Sequence, residues 1–140
     1  MEKRIVFTNG CFDLFHIGHL KLLKRASHLG SHVIVGINSD ESVRRLKGKG
    51  RPIISQKERA DIVLALTVVD QVIIFDEDTP LELIKNVKPD VLVKGGDWKE
   101  SDVVGADFVE GGGGEVVIIP LVEGASTTNI IEAICIENSV

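Results

Sequence analysis

Five short runs dense in valine and isoleucine punctuate the chain, at residues 4–9, 32–38, 71–75, 91–94 and 115–120. Their apolar residues follow one another without strict alternation, the pattern of strands covered on both faces. Segments of helical spacing lie between them. Over 19–28, Leu20 and Leu23 share one face, Ser27 follows a turn later, Gly30 marks the stop, and Lys21, Lys24 and Arg25 take the wet side. Residues 55–66 open with Ser55 and Glu58, a capping box in which each side chain satisfies the other's end of the backbone. Thr79, Pro80 and Glu82 repeat the signature as cap, proline at the first helical position and acid at the third. A last helix is predicted from Thr127 or Thr128 through Ile130, Ile131 and Ile134. The tetraglycine 111–114 reads as a flexible turn.

Strand and helix in alternation predict an α/β fold: a doubly wound, five-stranded parallel sheet with helices on both faces. Its 140 residues suit a single domain over 1–140, and a hydrophobic fraction of 44% is enough for a core. No apolar run approaches the ~20 residues of a membrane span, and the charged start Met1-Glu2-Lys3-Arg4 precedes too short an apolar run for a secretory signal. With only Cys11 and Cys135 there is no disulfide framework, so the expected compartment is the cytoplasm. A formal charge of −5 argues against broad binding to nucleic acid or an anionic membrane. Any anionic partner must then be met locally, and ligands of such sheets sit at the carboxyl ends of the strands.

After the first strand comes Thr8-Asn9-Gly10-Cys11-Phe12-Asp13-Leu14-Phe15-His16-Ile17-Gly18-His19. A glycine in the turn admits a ligand close to the backbone, and free N–H groups at a helix start favour phosphate. His16 and His19 are three apart, on one side of a first helical turn, with Gly18 leaving room against the backbone. Two imidazoles aimed at one point can donate to phosphate oxygens whose charge grows in a transition state. Either histidine alone would read as a surface or capping residue. Zinc held by Cys11, His16 and His19 is the metal alternative, although closed zinc sites want four ligands. The G-x-G-x-x-G turn of dinucleotide-binding folds and the P-loop are both absent.

Arg44, Arg45, Lys47, Lys49 and Arg51 put five of the 16 basic residues into eight positions without an acid. Gly48, Gly50 and Pro52 make this stretch read as a loop rather than a helix face, a lid able to bring cations to a triphosphate, with the acids Asp76, Glu77 and Asp78 in a separate connection. The plainer reading is a solvated loop. At the start of the last helix, Ser126, Thr127 and Thr128 follow Gly124; one hydroxyl suffices for a cap, and three suit a phosphate site.

These motifs carry a resemblance. His16-Ile17-Gly18-His19 is similar to the H-x-G-H signature of the nucleotidyltransferase superfamily, and Glu123 to Thr128 resembles its second signature. Length excludes the aminoacyl-tRNA synthetases that share the first. Thr8 to Asp13, Asn38-Ser39-Asp40, Arg45 to Gly48, Asp78-Thr79-Pro80, Leu92 to Trp98 and Ser126 to Ile131 resemble the adenylyltransferase domains of ADP-heptose synthesis. The resemblance implies a Rossmann-like fold and a stand-alone domain joining ATP, with Mg²⁺ carried by its phosphates rather than by a protein cage, to D-glycero-β-D-manno-heptose 1-phosphate. It implies catalysis by His16, His19 and Lys47. It also implies nucleotide binding by Asn9, Gly10, Cys11, Phe12, Gly18, Asp97, Gly124, Ser126, Thr127 and Thr128, and substrate contacts from Asp13, Lys49 and Arg59. Trp98 either lies near the nucleoside or covers the sheet edge. A homo-oligomer, most simply a dimer, is expected. Glycerol-3-phosphate cytidylyltransferases share both signatures, but carry Arg-Thr where this chain has Leu121-Val122. A nucleotide-binding module without catalysis is the alternative of another class.

Overall fold

The computed structural model describes residues 3–138, so Met1 and Glu2 of the charged start lie outside the described residues. Five strands, β1 (Ile5–Gly10), β2 (His32–Asn38), β3 (Gln71–Phe75), β4 (Val91–Gly95) and β5 (Glu115–Ile119), form one parallel sheet in the order β3-β2-β1-β4-β5. All five fall on the predicted valine- and isoleucine-rich runs. The chain winds outward from β1 to β3, returns to lay β4 beside β1, and continues to β5, so winding reverses between β1 and β4. That switch point is where open α/β sheets leave a crevice for ligands.

The described residues form six α-helices, α1 (Ile17–Ser27), α2 (Asp40–Lys47), α3 (Gln56–Leu64), α4 (Leu81–Val87), α5 (Ala106–Gly111) and α6 (Thr127–Asn138), the last of which buries no residue. Because strand side chains alternate between faces, the core divides in two. Val6, Val35, Val93 and Ile119 pack with Leu23 and Ala26 of α1 and Val63 of α3. Phe7, Ile34, Leu92 and Val116 pack with Ile84 of α4 and Ala106 and Val109 of α5. Right-handed crossovers demand this segregation once the winding direction reverses. At the amino ends of the strands, Asp90 Oδ2 accepts from Ile5 N–H at 2.8 Å and Asp70 Oδ2 from Val33 N–H at 2.7 Å, satisfying donors that the sheet leaves unpaired. The carboxyl ends are left for chemistry.

Several local expectations change. Arg44, Arg45 and Lys47 belong to the helix α2, which Ser39 caps by accepting from Ser42 N–H, and only the stretch from Gly48 onward is loop. Nor are the acids after β3 separate from the basic run: Arg45 Nε donates to Asp78 at 2.9 Å, the same guanidinium reaches the Asp76 carbonyl, and Ser39 Oγ bonds the Asp76 carboxylate. At α3 only half the capping box forms, with Ser55 Oγ accepting from Glu58 N–H. Pro80, rather than Thr79, is the cap residue of α4, and no side-chain bond caps that helix. The glycine run closes α5 and turns into β5: a Cβ on Gly114 would lie 2.7 Å from the Asp90 carbonyl oxygen, so close backbone approach explains this glycine.

Candidate active site

The β1–α1 connection builds the centre of the site. Phe12 and Leu14 adopt left-handed backbone, at φ 51° and 48°, folding the loop so that Phe12 turns back into the core at 4% exposure. His16, in extended backbone, is the cap residue of α1, and its Nδ1 accepts from Gly18 N–H at 3.1 Å. His19 reaches back, its Nδ1 accepting from His16 N–H at 3.3 Å. Two histidines thus perform the exchange that a Ser and a Glu perform in a capping box. Their rings stack with centroids 3.8 Å apart, and His19 also lies against Phe12 at 5.0 Å and Phe15 at 5.2 Å.

These bonds decide the protons. With Nδ1 accepting from backbone, each neutral imidazole carries its hydrogen on Nε2, leaving a pair of Nε2–H donors. Burial, reinforced by the neighbouring His16 and opposed by Asp13, pushes the His19 pKa down to about 4, and burial lowers His16 as well. At neutral pH both rings are uncharged donors.

Gly18 serves this arrangement differently from expectation. A Cβ there would lie 2.9 Å from His16 Cε1 and 3.2 Å from the Ala125 Cβ, so the room it leaves is filled by the His16 ring and by the segment preceding α6, not held open for a ligand. The starts of α1 and α6 are therefore neighbours. Thr127 Oγ1 donates to the Asp13 carbonyl, and Ser126 Oγ accepts from Asn129 N–H at 2.9 Å, with Asn129 Nδ2 donating in turn to the Gly124 carbonyl at 3.0 Å. Of the three hydroxyls, one caps, one ties the two loops together and Thr128 is exposed.

Two residues expected at the acceptor are instead consumed inside the protein. Asp13, 1% exposed, accepts from Ile53 N–H at 2.8 Å, Ile54 N–H at 2.9 Å and Arg51 Nε at 3.3 Å. Arg59, also 1% exposed, donates to the carbonyls of Ile54, Cys11 and Asn38 and to Asp40 Oδ1, all within 2.9 Å. Four of its five donors are taken, so it ties together the ends of β1 and β2 and the start of α3 rather than presenting a free fork to phosphate. The Cys11 carbonyl is used in this way, and its thiol, pushed up by burial, lies 3.8 Å from Asn38 Oδ1. Among the described residues no group of three or more His, Cys, Asp or Glu is placed to hold a metal ion.

Lys47, Lys49 and Asp97 are exposed, the first two flanking Gly48, which holds φ 96°. Lys47 closes α2 near enough for its charge to act on Cys11 and on Lys94. Asn9 and Gly10 end β1, half-buried, beside β4. Lys94 is not among the expected site residues, although a single ammonium closing an otherwise apolar strand marks it. Arg51, expected among the cations of the basic run, instead turns inward to Asp13, 38 positions away.

A model of cytidylyltransferase-like proteins matches residues 7–133. Over 132 residues the chain is 60% identical to the bifunctional protein HldE of Syntrophotalea carbinolica and 58% identical to that of Geobacter metallireducens. Each match takes in 94% of this chain but 27% of the relative, so the chain spans about a quarter of their length. A lipopolysaccharide core biosynthesis protein from Thermoplasma volcanium superposes with a TM-score of 0.70 at 28% identity, over 86% of this chain and 98% of that one. Pantothenate synthetase from Thermus thermophilus, 16% identical, superposes at 0.62 over 93% of this chain and 64% of its own, a likeness of fold.

Proposed function

The chain belongs to the cytidylyltransferase-like family of nucleotidyltransferases, and from that premise we propose that it transfers the adenylyl group of ATP to D-glycero-β-D-manno-heptose 1-phosphate, releasing pyrophosphate and forming ADP-heptose. The observation that carries the reading is the mutual capping of His16 and His19, which fixes two neutral Nε2–H donors beside two helix starts. Donors of this kind, held before the reaction begins, stabilise charge that develops on phosphate oxygens without being reorganised during it. Adenylyl and heptose phosphate are favoured over cytidylyl and glycerol phosphate by the six segments that resemble the adenylyltransferases of ADP-heptose synthesis, and by the 58–60% identity to the HldE proteins.

In this mechanism the sugar phosphate oxygen attacks the α-phosphorus in line with the departing pyrophosphate. No protein nucleophile takes part, so the chain contributes position and charge. His16 and His19 donate to the α-phosphate and to the bridging oxygen that becomes part of pyrophosphate. Lys47 adds positive charge from the end of α2, and the glycines at 48 and 50, at φ 96° and 87°, let the following loop bring Lys49 inward. The N–H groups at the start of α6, with Ser126 and Thr128, take the outer phosphates. The donor set is imidazole N–H, ammonium and hydroxyl, and the nearest carboxylate, Asp13, has both oxygens bonded within the protein. It suits phosphate rather than a cation, so Mg²⁺ is assigned to the ATP phosphates, where it would neutralise their charge.

The test is pyrophosphate release with ATP, CTP or GTP, each paired with heptose 1-phosphate or glycerol 3-phosphate. ATP with heptose 1-phosphate is expected to lead; preference for CTP with glycerol 3-phosphate would transfer the assignment to that reaction, and nucleotide binding without release for any pair would make the chain a binding module. His16→Ala is expected to lower turnover roughly 10²-fold or more, the usual loss of a transition-state donor.

A further inference from the structure

With Arg59 committed internally, the exposed Lys49 is the remaining cation expected at the acceptor's phosphate, and β4 supplies a second, better enclosed one. Val91, Leu92 and Val93 are at most 1% exposed, and the strand then presents Lys94, partly buried, before ending at Gly95. Neighbouring residues of a strand face opposite ways. A Cβ on Gly95 would meet Leu22 of α1 at 3.3 Å, so Lys94 turns to the other face of the sheet, toward α4 and α5. There it lines a cleft with Asn9, Pro80, Trp98, Asp102 and Val103. Its ammonium lies 5.0 Å from the centre of the Trp98 ring, and among the described residues no carboxylate comes within ion-pair distance of it. An ammonium drawn partly out of water without a counter-charge is costly. Burial lowers its pKa against a smaller raising effect of Cys11, and Lys47 adds a lesser push downward. An anion bound at Lys94 would supply the missing counter-charge.

We infer that Lys94 binds the phosphate group of the acceptor, in a subsite on the α4–α5 side of β1 and β4, across the sheet edge from the imidazole pair. The placement agrees with in-line displacement, in which attacking and leaving oxygens stand on opposite sides of the α-phosphorus. Pyrophosphate leaves toward the starts of α1 and α6 and Lys47, and the acceptor enters from the opposite face. Asn9 and Asp102, in the same cleft, offer an amide and a carboxylate to hydroxyl groups, which fits a phosphorylated polyhydroxy compound. This inference rests on the nucleotidyltransferase reading with a phosphate-bearing acceptor.

Lys94→Met keeps the length of the side chain and removes the charge; Lys94→Arg keeps the charge and the contact with the ring. With heptose 1-phosphate and ATP, Lys94→Met is expected to raise KM for the sugar phosphate roughly 10- to 100-fold, the scale of a hydrogen bond to a charged group, while KM for ATP changes less than about threefold. Lys94→Arg is expected to recover most of the loss. An unchanged acceptor KM, or a rise confined to ATP, would overturn the inference. Trp98, the only tryptophan, gives a second readout independent of turnover. Titration with inorganic phosphate is expected to shift its emission in the unmodified protein and not in Lys94→Met; equal midpoints in the two would overturn the subsite. Should neither sugar phosphate nor glycerol phosphate support pyrophosphate release, the proposed reaction fails while the fluorescence titration still decides the role of Lys94.

Discussion

His16 and His19 hold each other in place: the His19 ring accepts the backbone N–H of His16 at 3.3 Å, while the two imidazoles lie face to face at 3.8 Å. The bond needs an unprotonated Nδ1, as does the bond His16 accepts from Gly18 N–H, so the geometry of the donors and their charge state are one property. Protonating His19 would remove the acceptor of the first bond and place a cation, partly out of water, against the face of the neighbouring ring.

The pH dependence follows with a definite sign. His19 titrates near 4 in the folded protein, against 6.5 for an unperturbed histidine. Between those values the unfolded chain binds the additional proton, so stability falls as pH drops from about 6.5 toward 4 and is fully present above that window. Urea denaturation at pH 7.5, 5.5 and 4.5 is expected to show a falling midpoint, and His19→Gln is expected to flatten it. Turnover of the unmodified protein should hold at pH 6, where an ordinary histidine is largely protonated; an acid limb centred at 6.5 would contradict the neutral-donor assignment.

Arg59 is expected to act on stability before it acts on substrate. Its guanidinium satisfies three carbonyls and Asp40, and its side chain is wholly buried. Arg59→Met leaves those carbonyls without a donor, a loss of about 3 kcal/mol measured by urea unfolding. Arg59→Lys should recover only part, since one ammonium cannot span a planar fork of four bonds. A stable Arg59→Met protein with only a raised KM would instead return Arg59 to the substrate phosphate.

Asp13 couples the β1–α1 loop to the segment that leads into α3. Its carboxylate accepts two backbone N–H groups and Arg51, while its own carbonyl takes the Thr127 hydroxyl, so one residue joins β1, α6 and the basic segment. In a double-mutant cycle, Asp13→Asn and Arg51→Met are expected to be non-additive by about 1 kcal/mol in stability, the scale seen for residues in one bonded network. Strict additivity would mean that the two act independently.

The strands and the pairing of His16 with His19 were legible in the sequence because each rests on local signals, a run of apolar residues or a spacing of three; their mutual capping was not. Helix α2 was obscured because its basic residues and the glycines after it draw the eye to a loop, although Ser39-Asp40-Glu41 is a sound helix start. Helix α5 has six residues and begins at a left-handed Gly105 without a capping side chain, so little marks it. Asp13 and Arg59 depart from expectation for a different reason. A charged residue near a motif reads as a ligand contact, and only tertiary structure reveals partners tens of residues away that bury and consume it. Lys94 is the converse, a residue whose strand explains its burial but not its charge.

Gly18→Ala tests whether the pair must be held in this geometry. The new methyl would lie 2.9 Å from His16 Cε1 and 3.0 Å from Nδ1, below the distance real Cβ contacts tolerate, and 3.2 Å from the Ala125 methyl on the other side. The backbone of α1 can accept alanine, which favours helix by about 1 kcal/mol over glycine, so the fold should survive. The ring of His16 has to swing away, breaking its bond to Gly18 N–H and its stack on His19. Turnover is expected to fall roughly 10²-fold, as for loss of a single donor, with unfolding midpoint nearly unchanged. A fall of that size with a native circular-dichroism spectrum would assign it to ring position; turnover within about twofold of the unmodified protein would show that the mutual cap is not required.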